Sequence, residues 1–281
     1  MIPINNKHVI LLKNSINLFE QKYQSFDNNQ IIHEVNKILM YPGFILYPNG
    51  AFAVYDDHTP TKNTIFCRAR ILNDDSIIND IKQYWNLIPE KVLNIGRLNL
   101  ENESVLYTTH GSNITALNEI GARVDDKVIL ISYKRIPGVR ILCKNMTILN
   151  QQLHNKENPL SKLTNLKYKF INDWIKKNDK GNEKLYFVTN AIKNHYFNGN
   201  DKIECCGMIY PSLLGTDKHN LIFLDDKVKA NLYIDNIIYG KILEINHNSF
   251  KLIQEYKFIE VHNDKVVWEK ISKPEILLSF I

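Results

Sequence analysis

The sequence predicts an α+β protein: a compact mixed α/β core of small β-sheets flanked by helices, with helices leading at the N-terminus. Three observations predict it. Apolar residues near the N-terminus recur at helical spacing, Leu11, Ile16 and Phe19, then Ile31, Ile32, Val35, Ile38 and Leu39. The middle of the chain mixes short strand-like runs with helical blocks. From Asn231 to Trp268, β-branched and polar residues alternate as in an antiparallel meander. The expected organisation is an N-terminal helical and short-strand region over 1–60, packed on a core of 61–281.

The elements follow in order. Two helices fall between Ile10 and Met40, separated by the polar run Ser25 to Gln30, and Tyr41-Pro42-Gly43 ends the second. Pro48-Asn49-Gly50 reads as a turn between short strands, Phe44 to Leu46 and Ala51 to Tyr55. Ile65 to Ile71 and Val105 to Thr108 read as strands. Gly111-Ser112-Asn113 opens a helix, with Ser112 or Asn113 as its cap, that stops near Gly121. Lys127 to Tyr133 is a continuous apolar strand. The segment Gln151 to Lys184, expected as an insertion, carries one helical block around Tyr168, Phe170, Ile171, Trp174 and Ile175. Leu185 to Asn198 is helical, and Met208 to Tyr210 and Leu221 to Leu224 are strands. Turns of the meander fall at Asn246-His247-Asn248 and His262-Asn263-Asp264.

Composition excludes several classes. The 281 residues are 44% hydrophobic and 23% charged, enough to bury a core without disulfides. A net charge of +5, with cationic and acidic residues interspersed, lacks the clustered basic face of a nucleic-acid binder, so no direct nucleic-acid partner is expected. Cys67, Cys143, Cys205 and Cys206 show no CxxC spacing, so reduced thiols and no metal site are expected. No stretch approaches the roughly 20 apolar residues of a membrane helix, and the N-terminus lacks a signal-peptide pattern. A cytoplasmic protein without a membrane partner is the expectation.

No Gly-rich dinucleotide loop, P-loop, HExxH or GxSxG occurs. Phosphate would therefore be held by side chains, for which the planar arginine fork is suited. The few arginines of this lysine-rich chain sit mostly between Arg68 and Arg140. Glu119 lies in a helix among Ala116, Leu117 and Ile120, where a carboxylate could stabilise an oxocarbenium-like centre or bond a ribose hydroxyl. Tyr107 offers a flat ring and a hydroxyl. Ser212 follows a proline at a strand end, and His110 stands beside Gly111. Read singly, each of these also suits a structural role: surface charge, core aromatic, turn serine.

Their order carries more. Phe66-Cys67-Arg68-Ala69-Arg70 comes first, then Gly96-Arg97-Leu98-Asn99 and Leu106-Tyr107, then Ala116 with Glu119, then Gly207-Met208-Ile209-Tyr210-Pro211-Ser212 closed by Asn220. Taken together, from about Ile65 to Leu224, these stretches resemble the RES domain family, named for a shared arginine, glutamate and serine. Ile95 and Leu98 depart from its Gly-Gly-Arg-Trp-Asn stretch, and Asn102-Glu103-Ser104 from its Pro-x-Gly turn. The resemblance implies an ADP-ribosyltransferase-like fold that cleaves the nicotinamide–ribose bond of NAD+, by phosphorolysis or hydrolysis. NAD+ is then substrate, inorganic phosphate a co-substrate of the phosphorolytic form, and no other cofactor is implied. It further implies a toxin or defence effector, a helix-turn-helix antitoxin partner and a homodimer. Arg68, Glu119 and Ser212 would be catalytic, and Arg97, Tyr107, Asn99 and Asn220 would bind NAD+. Arg68 and Arg97 would hold phosphate, Tyr107 the nicotinamide ribose or ring, and Ser212 the ribose or amide. Two other readings use the same residues: an ADP-ribosyltransferase acting on a macromolecule, and a non-catalytic RES-like interaction module.

Overall fold

The computed structural model describes residues 4–42, 52–58, 63–73, 77–147, 158–177, 182–197, 204–214, 218–246 and 249–277. Among these residues the protein is mixed α+β, with six α-helices and ten strands. It forms two compact units, each assembled from separate pieces of chain. The first comprises 1–53, 89–103 and 143–211, and the second 54–88, 104–142 and 212–281.

The first unit is helical for reasons that lie in its sequence. α1 (Asn6–Lys22) and α2 (Asn28–Met40) each begin with a capping box, Asn5 with His8 and Asp27 with Gln30, which satisfies amide groups the first turn leaves unpaired. α1 buries Leu12, Ile16 and Phe19, and α2 buries Ile31, Val35, Ile38 and Leu39. α4 (Pro159–Lys176) and α5 (Glu183–Phe197) complete the helical layer. Trp174 of α4 is fully buried, 5.4 Å from Phe19 and 4.7 Å from Tyr23 by ring centroids. The aromatic block around Trp174 is therefore the core of this unit. Two strands, β5 (Ile141–Asn145) and β6 (Gly207–Pro211), pair in parallel from Cys143↔Gly207 to Asn145↔Ile209.

The second unit is a largely antiparallel sheet. β2 (Ile65–Ile71) lies between β3 (Val105–His110) and β4 (Lys127–Arg135). β7 (His219–Leu224) flanks β3 on one side. On the other, β4 continues into β8 (Leu232–Asn246), β9 (Ser249–His262) and β10 (Lys265–Leu277). α3 (Asn113–Glu119) packs on one face of this sheet and α6 (Asp225–Asn231) joins β7 to β8. The expected meander is present and runs past Trp268 to Leu277. Asn263 and Asp264 turn it with φ of 49° and 60°, the left-handed pair a tight hairpin needs. β1 (Phe52–Tyr55) matches the strand expected there, whereas the Pro48-Asn49-Gly50 turn, the strand at Phe44 to Leu46 and His247-Asn248 lie outside the described residues. So do 148–157 and 178–181, which take in the start of the expected 151–184 insertion and a stretch within it, whereas its last residues, 183 and 184, open α5.

β5 and α6 have no counterpart in the sequence reading. β5 is a short strand after the Pro137-Gly138 turn, too brief to show a period. α6, DDKVKAN, buries no apolar stripe and is continuous with β7.

Gly240 sits at a register shift of β8, where a Cβ would lie 2.4 Å from the Ile253 carbonyl oxygen and 2.6 Å from Leu252 Cδ2. Backbone of the neighbouring strand cannot yield easily, so Gly240→Ala is expected to destabilise by about 1–3 kcal/mol in denaturant unfolding. In the first unit, His195 Nδ1 donates to Asn36 Oδ1 at 3.1 Å, while Nε2 is buried with no partner among the described residues. Burial, then the charges of Lys167 and Lys144, lower its pKa to about 4. The unfolded chain takes up this proton near the ordinary value of about 6.5. Between those values the unfolded state binds more protons, so stability falls as pH falls from 6.5 to 4, by about 3 kcal/mol for this one group. Thermal melts across that range should show the loss, and His195→Asn should flatten it.

Candidate functional site

The site grows out of the turn from β3 into α3. Gly111, with φ of 70°, bends the chain out of the strand, and its amide is held by the Ile65 carbonyl at 2.8 Å. Ser112 caps α3, accepting from the Thr115 amide at 3.1 Å. α3 then lays Ile114, Ala116 and Leu117 against Cys67, Ala69, Val128 and Leu130 of the sheet. That contact fixes where the last residue of the helix, Glu119, projects.

Glu119 is half-buried, and one of its carboxylate oxygens is held twice. The Ser212 hydroxyl donates to Oε1 at 2.6 Å and Asn220 Nδ2 donates to the same oxygen at 2.7 Å. Ser212 is 2% exposed and Asn220 3% exposed, so both donors are fixed in protein and not in solvent. Ser212 is itself pinned: its amide donates to the Lys218 carbonyl at 3.0 Å and its Oγ accepts from the Leu214 amide at 3.0 Å. Asn220 is set by β7, where it stands opposite Thr109 of β3. Thr109 in turn donates to the Ser112 carbonyl at 2.8 Å, tying strand to helix cap. A carboxylate at a helix C-terminus faces the negative end of the helix dipole, and two charge-assisted donors offset that. Glu119 Oε2 has no hydrogen-bond partner among the described residues.

Strand alternation sorts the remaining candidates. Cys67 and Ala69 of β2 face α3, and Cys67 pairs with Thr109, which pairs with Asn220. Tyr107, two residues before Thr109, therefore shares the face that carries Glu119, Ser212 and Asn220. Burial pushes the Cys67 thiol up to about 12, so it is a neutral wall of this face. Phe66, Arg68 and Arg70 point the other way. Phe66 packs edge-on to Phe223 and Tyr55 there. Arg68 Nη1 donates to the Trp85 carbonyl at 2.7 Å and Arg70 Nη1 to the Gln83 carbonyl at 3.3 Å. The Tyr133 hydroxyl donates to the Tyr84 carbonyl on this side, and burial pushes its pKa up to about 12 against the lowering effect of the Arg68 charge. The structure thus does not bring Arg68 to Glu119. It pins the 81–85 turn to the back of β2 instead.

Arg97 and Asn99 belong to the first unit. They lie in a tight loop closed by the Gly96 amide on the Asn99 carbonyl at 2.9 Å and stapled to α5, where Thr189 holds the Arg97 carbonyl and Asn190 the Gly96 carbonyl. Asn99 is 6% exposed and gives Nδ2 to the Asn94 and Leu100 carbonyls, so it shapes the loop and presents little to a ligand. His110 ends β3 on the face opposite Thr109, beside Tyr55 and Phe66.

No family model, curated protein or solved structure matches the chain. The site therefore rests on its own geometry. Thr109 was not singled out in the sequence, and its signal there is only a polar pair before a glycine and a cap, Thr108-Thr109-His110-Gly111-Ser112. Among the described residues no cluster of three or more His, Cys, Asp or Glu could hold a metal ion, none of the four cysteines is in a disulfide, and no helix is long and apolar enough to cross a membrane.

Glu119→Ala would leave two buried donors without an acceptor. It is expected to lower unfolding free energy by about 2–4 kcal/mol, and a melting curve superimposable on that of the natural protein would show that the clamp carries no stability.

Proposed function

We propose that the protein is an NAD+-consuming enzyme of RES type that cleaves the nicotinamide–ribose bond, on an ADP-ribosyltransferase-like core. One observation carries the reading: the Glu119 carboxylate is gripped by Ser212 and Asn220, three residues the resemblance names, from three separate stretches of chain. A fixed carboxylate with one oxygen occupied and the other without a partner among the described residues suits a cationic transition state. As the C–N bond to nicotinamide breaks, its electron pair leaves with neutral nicotinamide and positive charge develops on the ribose. A preorganised anion stabilises that charge without reorganising. Water or inorganic phosphate then bonds to the anomeric carbon, giving ADP-ribose and a proton, or ADP-ribose phosphate. Ser212 gives its hydroxyl hydrogen to Glu119, so its work is to hold the carboxylate and not to attack. In this reading Tyr107, on the same face, packs against the leaving ring or the ribose.

Phosphate gripping by Arg68 and Arg97 has less support, because Arg68 is engaged on the opposite face of β2. That placement favours one rival, a RES-like interaction module without activity. Incubating the protein with NAD+, with and without phosphate, and following nicotinamide decides between them. Release is expected, with Glu119→Gln, which keeps shape and an acceptor oxygen, reducing kcat by about 100-fold or more. Absence of release, together with absence of NAD+ binding, leaves the interaction module. Labelled NAD+ separates the transferase: label retained on protein or nucleic acid marks transfer, free product marks hydrolysis or phosphorolysis. If the protein is a toxin, expressing it should arrest growth and Glu119→Gln should relieve the arrest.

A further inference from the structure

The two ends of the Asn220 amide have different surroundings. Nδ2 donates to Glu119 Oε1 at 2.7 Å, whereas Oδ1 is buried with no partner among the described residues. A buried carbonyl oxygen without a donor lowers stability. An apolar residue at this strand position would avoid that loss, so the amide must supply something an apolar residue does not. It supplies a neutral N–H donor aimed at a carboxylate. An aspartate has the same shape but would set a second carboxylate against Glu119, and such a pair shares one proton.

We infer that Asn220 is a positioning residue for Glu119. It holds Oε1 against β7, leaves Oε2 without a partner among the described residues, and does not itself touch substrate. This replaces the NAD+-binding role that the resemblance gives to Asn220, and it rests on the reading of Glu119 as the working carboxylate. The position is rigid from both sides. β7 is held in register with β3 at Thr109↔Asn220, and Thr109 Oγ1 is bonded to the cap residue of α3, so donor and acceptor are referenced to one framework. Ser212, the second donor on Oε1, is fixed by its own turn. Among the described residues, the strands flanking Asn220 bring few titratable groups to its face. From β2 comes the neutral Cys67 thiol and from β3 Tyr107, while Lys218 closes the Ser212 turn. His110 and His219 alternate to the opposite face, and Val128, Leu130, Ile238 and Ile242 share one apolar cluster with α3.

The test compares Asn220→Asp and Asn220→Ala with the natural protein, each checked for folding by circular dichroism and an amide NMR spectrum. Nicotinamide release is measured from pH 4 to 9. Asn220→Asp is expected to lower kcat by about tenfold or more, change KM less than about threefold, and move the acid limb of the profile upward by about one pH unit or more. Asn220→Ala should lower kcat with a smaller move. A profile for Asn220→Asp that is scaled down but unshifted overturns the inference, as does a change confined to KM, which would mean direct substrate contact. Carbon NMR of the Glu119 carboxyl keeps the two readings apart. If the natural protein releases no nicotinamide, the function reading fails, while a Glu119 titration midpoint higher in Asn220→Asp than in the natural protein still supports the positioning role and an unmoved one overturns it. Should Asn220→Asp not fold, the same midpoint in Asn220→Ala decides.

Discussion

A single carboxylate oxygen, Oε1 of Glu119, joins residues 93 and 101 positions away in the chain. The face of the second unit that carries Glu119 depends on that junction. It brings the end of α3, the turn at Ser212 and the strand β7 to one point, and its donors are buried, so they have no solvent to fall back on. A hydrogen bond to a charged acceptor contributes more than a neutral one, and losing the acceptor strands both donors at once. The helix that presents the carboxylate is only seven residues long and is not stable by propensity. Its Ser112 cap and its packing on Cys67, Ala69 and Leu130 hold it in place, so the site and the core of this unit stabilise each other.

The pleat of β2 has the next largest effect. Successive side chains of Phe66-Cys67-Arg68-Ala69-Arg70 must point to opposite faces. α3 covers the Cys67 and Ala69 side, which leaves both arginines on the other. There they do structural work, holding carbonyls of the Gln83 to Trp85 turn. The guanidinium suits that task because it offers several donors in a plane and stays charged when half-buried.

The first unit shows different physics. Its helices bury lysines and a histidine as well as aromatics. Lys167 is 2% exposed and donates to the Leu39 carbonyl at 2.6 Å, and burial lowers its pKa to about 8. Lys193 is 1% exposed and paired with Glu103. These groups tie α4 and α5 to α2 and to the 89–103 loop, giving the unit register at a cost in desolvation. The Arg97 loop is part of this helical assembly through Thr189 and Asn190.

Much of this was legible in the sequence, for physical reasons. Helical periods in α1, α2 and α4, the Ser112 cap, the apolar run of β4 and the alternation of the meander are local properties, set within a few turns or pleats. The candidate residues Glu119, Ser212 and Asn220 were legible only as types in an order. Nothing local says that they meet, because contacts spanning about a hundred residues depend on how strands pair. Alternation in Phe66 to Arg70 already required Arg68 and Cys67 to face opposite ways. Which of the two faces would lie under α3 depended on the side of the sheet to which the chain turned at Gly111. The sequence by itself determined which residues could act together on one strand or helix. The tertiary structure alone decided that Glu119 finds Ser212 and Asn220 and that Arg68 does not share their face, because strand register and helix placement are fixed by packing across the whole unit.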